Sequence, residues 1–185
     1  MAPLDLLRTD FEARVNRSLS LPLAGSVVWI AVGVLGLLLP ERAATLALVF
    51  ATGAIFPLAM AIAKLRREQI LGNPNPLAKL MGVCVFMVNL LWALHVPLLL
   101  QAPQFVPLSL GLGLGLHWAV YAWITGHPAG HVHVVLRTLG LSAAWWLVPD
   151  HRVTACAAAV VLAYAVAIAM MATRPLPTPA ARAAV

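Results

Sequence analysis

The sequence contains little charge. Only 10% of its 185 residues are charged, whereas 62% are hydrophobic, and the mean hydropathy is +0.93. A water-soluble domain carries about 25% charged residues, so this chain lacks the polar surface needed to face water on all sides. Its composition fits a lipid solvent, and we expect a bilayer as its main partner. The formal charge of +6 marks membrane topology, as described below, and requires no nucleic acid partner.

The residues that common enzymes need are also scarce. The two cysteines, Cys84 and Cys156, lie inside apolar stretches without a CxxC partner, which favours a packing role. The sequence contains no GxSxG, no HExxH and no paired carboxylates, so the standard hydrolase mechanisms lack their parts. A non-enzymatic protein is therefore favoured over an enzyme, and we expect no cofactor.

Six apolar stretches follow a charged N-terminus, at about 21–39, 43–64, 77–100, 104–125, 131–148 and 153–173. Each approaches the roughly 20 residues that a helix needs to cross a bilayer. Because backbone polar groups in lipid must bond within their own segment, helices are the expected conformation. We predict an all-α polytopic transmembrane bundle of six helices over 21–173. The fifth stretch is the weakest, because it contains Arg137.

The two ends of the chain differ from this core. In residues 1–20, apolar side chains recur every three or four positions between charged ones, which predicts an amphipathic interfacial helix. Residues 174–185 are rich in Pro and Ala and predict a disordered cytoplasmic tail. With the N-terminus inside, ten of the twelve basic residues lie on the inner side, and only Arg42 and Arg152 lie outside. The positive-inside rule therefore predicts cytoplasmic N- and C-termini.

Four polar side chains inside the apolar stretches form the candidate binding site: Asn89, His117, Tyr121 and Arg137. Counting about 1.5 Å per helical residue from the inner ends places them all in the inner half of the bilayer. We therefore expect a polar inner-half cavity that binds or transports a small solute or a lipid headgroup. The same residues are compatible with two alternative functions. The protein would be either a structural or accessory membrane protein without a ligand, or a lipid-modifying membrane enzyme.

Arg137 is the most informative charge, because no acidic residue occurs inside any apolar stretch to pair with it. Either its side chain snorkels to the inner headgroups, or it neutralises an anion, such as a lipid phosphate or a substrate carboxylate.

A glycine-rich run, residues 111–115 (GLGLG), precedes His117. It is not a nucleotide loop, because no strand precedes it. Its small side chains indicate close helix packing, within the chain or against a second copy in a homo-oligomer, and the alternative is a locally unwound helix at a substrate site.

Three histidines, His127, His131 and His133, fall within seven residues. Imidazoles at this density are weak candidates for a metal site, because no Cys or carboxylate accompanies them. Polar residues of an inner loop are the favoured interpretation.

Three short runs carry a resemblance: residues 52–58 (TGAIFPL), 75–80 (NPLAKL) and 115–123 (GLHWAVYAW). They resemble an uncharacterised family of small bacterial multi-pass membrane proteins, over roughly residues 20–150. The resemblance implies a bundle in a bacterial inner membrane and implies no activity.

Overall fold

The computed structural model describes residues 3–175, which are all-α and contain no strand. The helices are α1 Leu4–Val15, α2 Ser20–Leu38, α3 Glu41–Gly53, α4 Ile55–Arg66, α5 Pro76–Leu90, α6 Trp92–Gln101, α7 Val106–Gly113, α8 His117–Thr125, α9 Ala129–Leu147 and α10 Arg152–Ala172. Each of the six apolar stretches therefore contains a helix or a pair of consecutive helices.

Four helical segments are long and apolar enough to cross a membrane: Leu4–Leu38, Pro76–Gln101, Pro103–Thr125 and Pro149–Ala172. A fifth candidate is the pair α3 and α4, which are bent by 40° relative to each other. The all-α class and the apolar helices confirm the coarse prediction. The six crossings, the orientation and the interfacial role of α1 stay predictions.

Three of the stretches are broken near their middle. The break between α3 and α4 falls at Ala54, three residues before Pro57, which has no N–H to donate to the Gly53 carbonyl. A break at Leu91 separates α5 from α6. The third falls at residues 114–116, at the end of the glycine-rich run, and separates α7 from α8.

Helix α10 lies at the centre of the fold, packed against α2 on one side and α9 on the other. Its contacting face consists of small side chains, and Ala157, Ala163 and Ala167 are at most 1% exposed. Small residues let helix backbones approach closely in lipid, where the hydrophobic effect does not drive association. By contrast, α5 and α6 are peripheral and expose large apolar side chains such as Phe86 and Met87.

At one end of the bundle, α1 bonds to segments that are distant in the chain. The Asn75 side chain donates to the Leu7 carbonyl (2.8 Å) and to Asp10 (2.7 Å). The Arg8 guanidinium donates to the carbonyls of Trp123 (2.6 Å) and Ile124 (3.2 Å), at the C-terminal end of α8. Helix α1 therefore connects the loop before α5 to the end of α8.

The end of α10 is held at the same place. Arg174 is 6% exposed and donates to the Glu12 carboxylate at 2.6 Å, while Arg17 donates to the Arg174 carbonyl at 2.9 Å. Assigning Arg174 to a disordered tail is therefore wrong, because its charge is paired with a carboxylate of α1. The rest of the predicted tail, apart from Pro175, lies outside the described residues.

The loop after α4 also reaches this end of the bundle. The buried Glu68 carboxylate accepts from the backbone N–H groups of Leu19 (3.2 Å) and Ser20 (3.0 Å). These groups belong to the first turn of α2, where a helix has N–H donors without intrahelical partners. Arg66 completes the arrangement with a 2.6 Å ion pair to Glu68. Glu68 thus joins the start of α2 to the end of α4.

The opposite end of the bundle brings together the remaining loops. Glu41, at the start of α3, forms a 3.7 Å ion pair with Arg152, at the start of α10. The Trp145 indole N–H donates to the Gln104 carbonyl at 2.7 Å. The loops that precede α3, α7 and α10 therefore lie together, away from the end that α1 covers.

Candidate functional site

Arg137 lies on α9 and points into the interior of the bundle. It is 1% exposed, and its guanidinium lies among side chains of α2 and α10 and the backbone of α7. Snorkelling to the inner headgroups, one of the two expectations for this residue, is therefore wrong. The side chain is surrounded by protein on all sides.

The shortest hydrogen bond of this guanidinium goes to α7. Arg137 Nε donates to the Gly111 carbonyl oxygen at 2.7 Å. In an unbroken helix that oxygen would accept from the Gly115 N–H, but the Gly115 N–H bonds to Leu112 at 2.8 Å instead. The break thus frees a carbonyl inside the bundle, and Arg137 occupies it.

The glycines make room for this contact. A Cβ at Gly115 would lie 2.7 Å from Arg137 Cδ and 2.9 Å from its Nε, closer than real side chains approach. A Cβ at Gly111 would meet the Leu141 side chain at 2.9 Å. The glycine-rich run therefore packs against α9 within the same chain, as its small side chains indicated. Its end is not unwound, because Leu114 and Leu116 keep right-handed helical backbone angles and the N–H groups of Gly115 and Leu116 bond three residues back, as in a tighter 3₁₀ turn.

Two aromatic rings lie beside the guanidinium. The Arg137 Cζ atom is 5.6 Å from the ring centre of Trp29 and 5.4 Å from that of Tyr164. Cations at such distances are attracted to the electron-rich faces of aromatic rings. The absence of a side chain at Gly25 lets Tyr164 approach α2, since a Cβ there would lie 2.7 Å from the ring.

His133 lies one helical turn from Arg137 and faces it. Its Nδ1 is 3.1 Å from the Ala163 carbonyl oxygen, which can only accept, so Nδ1 carries the proton in this bond. The lone pair of Nε2 then faces Arg137 Nη1 at 3.5 Å. The imidazole also stacks on Trp118, with ring centres 4.0 Å apart. A neutral His133 thus orients the guanidinium without compensating its charge.

The positive charge of Arg137 has no counter-ion among the described residues. The ion pairs in this part of the chain do not include it, and Arg137 Nη2 is buried without a hydrogen-bond partner. The Trp29 indole N–H is likewise buried and unbonded. Buried charges in proteins are almost always paired, so an unpaired guanidinium is the unusual feature of this cluster.

The structure separates the four predicted site residues. His117 is half-buried at the start of α8, within electrostatic range of Arg137, and its Nδ1 has no partner among the described residues. Tyr121 is buried one turn further along, where its hydroxyl lies near Arg174 and Ser18. Only His117 and Arg137 therefore share a neighbourhood.

Asn89 does not join them. It lies on the exposed face of α5, and its side-chain amide donates to the Val85 carbonyl of its own helix at 2.8 Å. The depth count assigned Asn89 to the level of the other three residues but contained no information on which face of the helix it occupies.

Sequence reasoning missed the aromatic residues and assigned His133 to a loop. The spacing of His133 and Arg137, four residues apart on a helix, was a usable signal, because such residues share a face. Nothing in the sequence around Trp29 or Tyr164 links either residue to Arg137.

The three histidines that were weak candidates for a metal site do not lie together. The His127 ring accepts from the Ala129 N–H at 3.2 Å, His131 is exposed, and His133 is buried against Arg137. Burial and, to a smaller extent, the charge of Arg174 lower the pKa of His127. In residues 3–175, no group of three His, Cys, Asp or Glu side chains is placed to hold a metal ion.

With this geometry described, comparison with known proteins places the chain in a family. The family of unknown function DUF7010 matches residues 4–174. The chain belongs to this family. The match confirms the expectation of an uncharacterised family and extends it to α1 and α10. No curated protein and no solved structure matches the chain. Any statement on its activity must therefore come from the geometry.

Gly115→Ala tests the contact between Arg137 and the turn that follows α7. The added methyl group would overlap Arg137, so we expect a loss of about 1–3 kcal/mol, measured as a lower melting temperature in detergent. Gly82→Ala is the matched control, because a Cβ at Gly82 meets nothing within 4 Å. Equal melting temperatures for the two variants would contradict the contact.

Proposed function

We propose that the chain is an integral protein of a bacterial inner membrane that crosses six times and binds a small anion at Arg137. Both termini lie in the cytoplasm in this proposal, and α1 lies at the inner membrane surface. The charged group without a counter-ion, enclosed at a broken helix, carries the proposal for function.

The arrangement of the loops supports six crossings. Four segments lie together at the end of the bundle that α1 covers: the start of α2, the loop between α4 and α5, the end of α8 and the end of α10. The opposite end collects the loops before α3, α7 and α10. The chain thus alternates between two ends and returns to its starting side. Helix α9 counts as a crossing because its one charged residue, Arg137, and its neighbour His133 face the protein.

The energetics of Arg137 support an anion. A charged side chain at the centre of a membrane helix costs about 3 kcal/mol or more, and this cost is usually offset by a partner. One carbonyl, one imidazole and two aromatic faces leave the net charge unchanged. A carboxylate or a phosphate could bond to Nη2 bidentately together with Nη1, as guanidinium groups do with planar anions. The Nδ1 of His117 is a further polar group close by.

Enclosure by protein favours a small free solute over a lipid headgroup as the ligand. The residues that surround the guanidinium, Trp29, His133 and Tyr164, are at most 5% exposed, so the site has no open side toward the acyl chains. The turn between α7 and α8 leaves the Gly111 carbonyl free beside Arg137, which supports binding; the segment Pro103–Thr125 otherwise continues as one helix.

A structural role is the second candidate, favoured by a specific observation: Arg137 already bonds to Gly111 and packs on aromatic rings. In that case the guanidinium fastens α9 to α7 and needs no ligand. A lipid-modifying enzyme has less support, because no carboxylate lies beside Arg137 among the described residues.

Cysteine labelling tests the six crossings. In a variant with Cys84 and Cys156 replaced by Ala, single cysteines at the exposed positions Gln101, Asp150 and Thr173 report the two ends. In right-side-out vesicles, an impermeant maleimide should label the first two and should label Thr173→Cys only after permeabilisation. Labelling of all three from one side would contradict the proposed topology.

Arg137→Met tests anion binding against the structural role. A ligand that binds only the folded state raises its stability by mass action. We therefore expect the melting temperature of the purified protein to rise with sodium phosphate or sodium acetate, at constant ionic strength, and Arg137→Met to remove this dependence.

Two further variants make the result specific. Arg152→Met removes an arginine at one end of the bundle, away from Arg137, and should keep the dependence of the melting temperature on the anion. His117→Ala removes a polar group close to Arg137 and should weaken this dependence. If neither anion changes the melting temperature of the native chain and Arg137→Met simply lowers it, the structural role is correct and anion binding is refuted.

A further inference from the structure

A concavity at the C-terminal end of α4 carries a second, independent feature. Helix α4 ends at Arg66, and Arg67 adopts a left-handed backbone conformation (φ 57°) that turns the chain. Glu68 then points inward to α2, so residues 69–71 fold back beside the helix. The space between the helix and this loop is an open concavity of about 400 Å³, lined among others by Met60, Lys64 and Leu71.

The charged groups around this concavity differ in whether another residue already pairs with them. The Glu68 carboxylate is fully buried and bonds to Arg66 and two backbone N–H groups. By contrast, Lys64 and Arg67 are exposed at the rim, and within residues 3–175 neither forms an ion pair. The concavity therefore presents two unpaired cationic side chains.

Apolar side chains lie next to these cations. Leu65 is 85% exposed and Leu71 is 65% exposed, although Leu71 belongs to a loop and not to a helix. Met60 and Ile70 line the concavity and are half-buried. Exposed leucines beside basic residues, one at the end of a helix and one in the following loop, fit a membrane interface, where apolar surface meets acyl chains and cations meet headgroups.

We propose that this concavity binds one anionic phospholipid. The headgroup phosphate lies between Lys64 and Arg67, and the upper part of an acyl chain lies along Met60 and Leu71. The inference rests on the membrane placement proposed above but not on an anion site at Arg137. A site for a free phosphate would need the two cations only, so the apolar lining distinguishes a lipid from a soluble anion.

Native mass spectrometry of the full chain tests this site. The protein in detergent is titrated with phosphatidylglycerol or with phosphatidylcholine of the same acyl chains, and bound lipid is counted. We expect the native chain to retain one phosphatidylglycerol in preference to phosphatidylcholine. Lys64→Gln with Arg67→Gln should weaken phosphatidylglycerol binding by about thirtyfold, since two cationic contacts are lost.

The control variant carries Arg42→Gln and Lys79→Gln, which remove two charges from exposed residues outside the concavity. It should bind phosphatidylglycerol within about twofold of the native chain. Exchanging the cations, as Lys64→Arg with Arg67→Lys, should preserve binding and shows that charge at these two positions is what matters.

Three outcomes would overturn the proposal: equal binding of the two lipids, equal loss in the Gln variant and its control, or displacement of the lipid by excess inorganic phosphate. Arg137→Met separates this site from the one in the bundle interior. It should bind phosphatidylglycerol as the native chain does, even if no anion binds at Arg137.

Discussion

The bond between the Arg137 guanidinium and the Gly111 carbonyl is the constraint on which the interior of this fold depends. It exists because the α-helical hydrogen-bond pattern of α7 ends after Gly113 and leaves the Gly111 carbonyl without its usual N–H donor. It fits because Gly115 has no side chain in the space that the arginine occupies. The buried Arg137, the break after α7 and the glycines at positions 111 and 115 therefore depend on one another. Together they place an unpaired cation in the interior of the bundle, among the uncharged side chains of Trp29, His133 and Tyr164.

At the ends of the bundle, three carboxylates are paired with arginines. Glu12 bonds to Arg174, Glu68 to Arg66 and Glu41 to Arg152. These contacts join segments that are far apart in the chain and fix the two ends of the bundle. Arg137 is the contrast: it lies inside the bundle, and no described carboxylate approaches it. We interpret this difference as a division between charges that hold the fold and a charge that is available to a ligand.

The helical class and the position of the helices could be predicted because they follow from local properties. Apolar length, proline positions and the 3.6-residue repeat are all visible in the sequence. The candidate site was predictable only in part. Arg137 was identified because an ion in an apolar stretch is conspicuous, and His117 because it is a polar side chain in an apolar stretch at a similar counted depth. Asn89 was included by depth alone, and depth does not determine which side of a helix faces the protein. Trp29 and Tyr164 were missed because their proximity to Arg137 arises from the packing of α2 and α10, which no local pattern encodes.

Anomalous X-ray scattering from crystals grown in sodium bromide shows whether the Arg137 guanidinium binds an anion. We expect a bromide ion within hydrogen-bonding distance of Arg137 Nη2, inside the bundle and beside the break between α7 and α8. A guanidinium that lies in the interior with no bromide beside it, in crystals where bromide occupies surface sites, would contradict the claim that this charge is available to an anion.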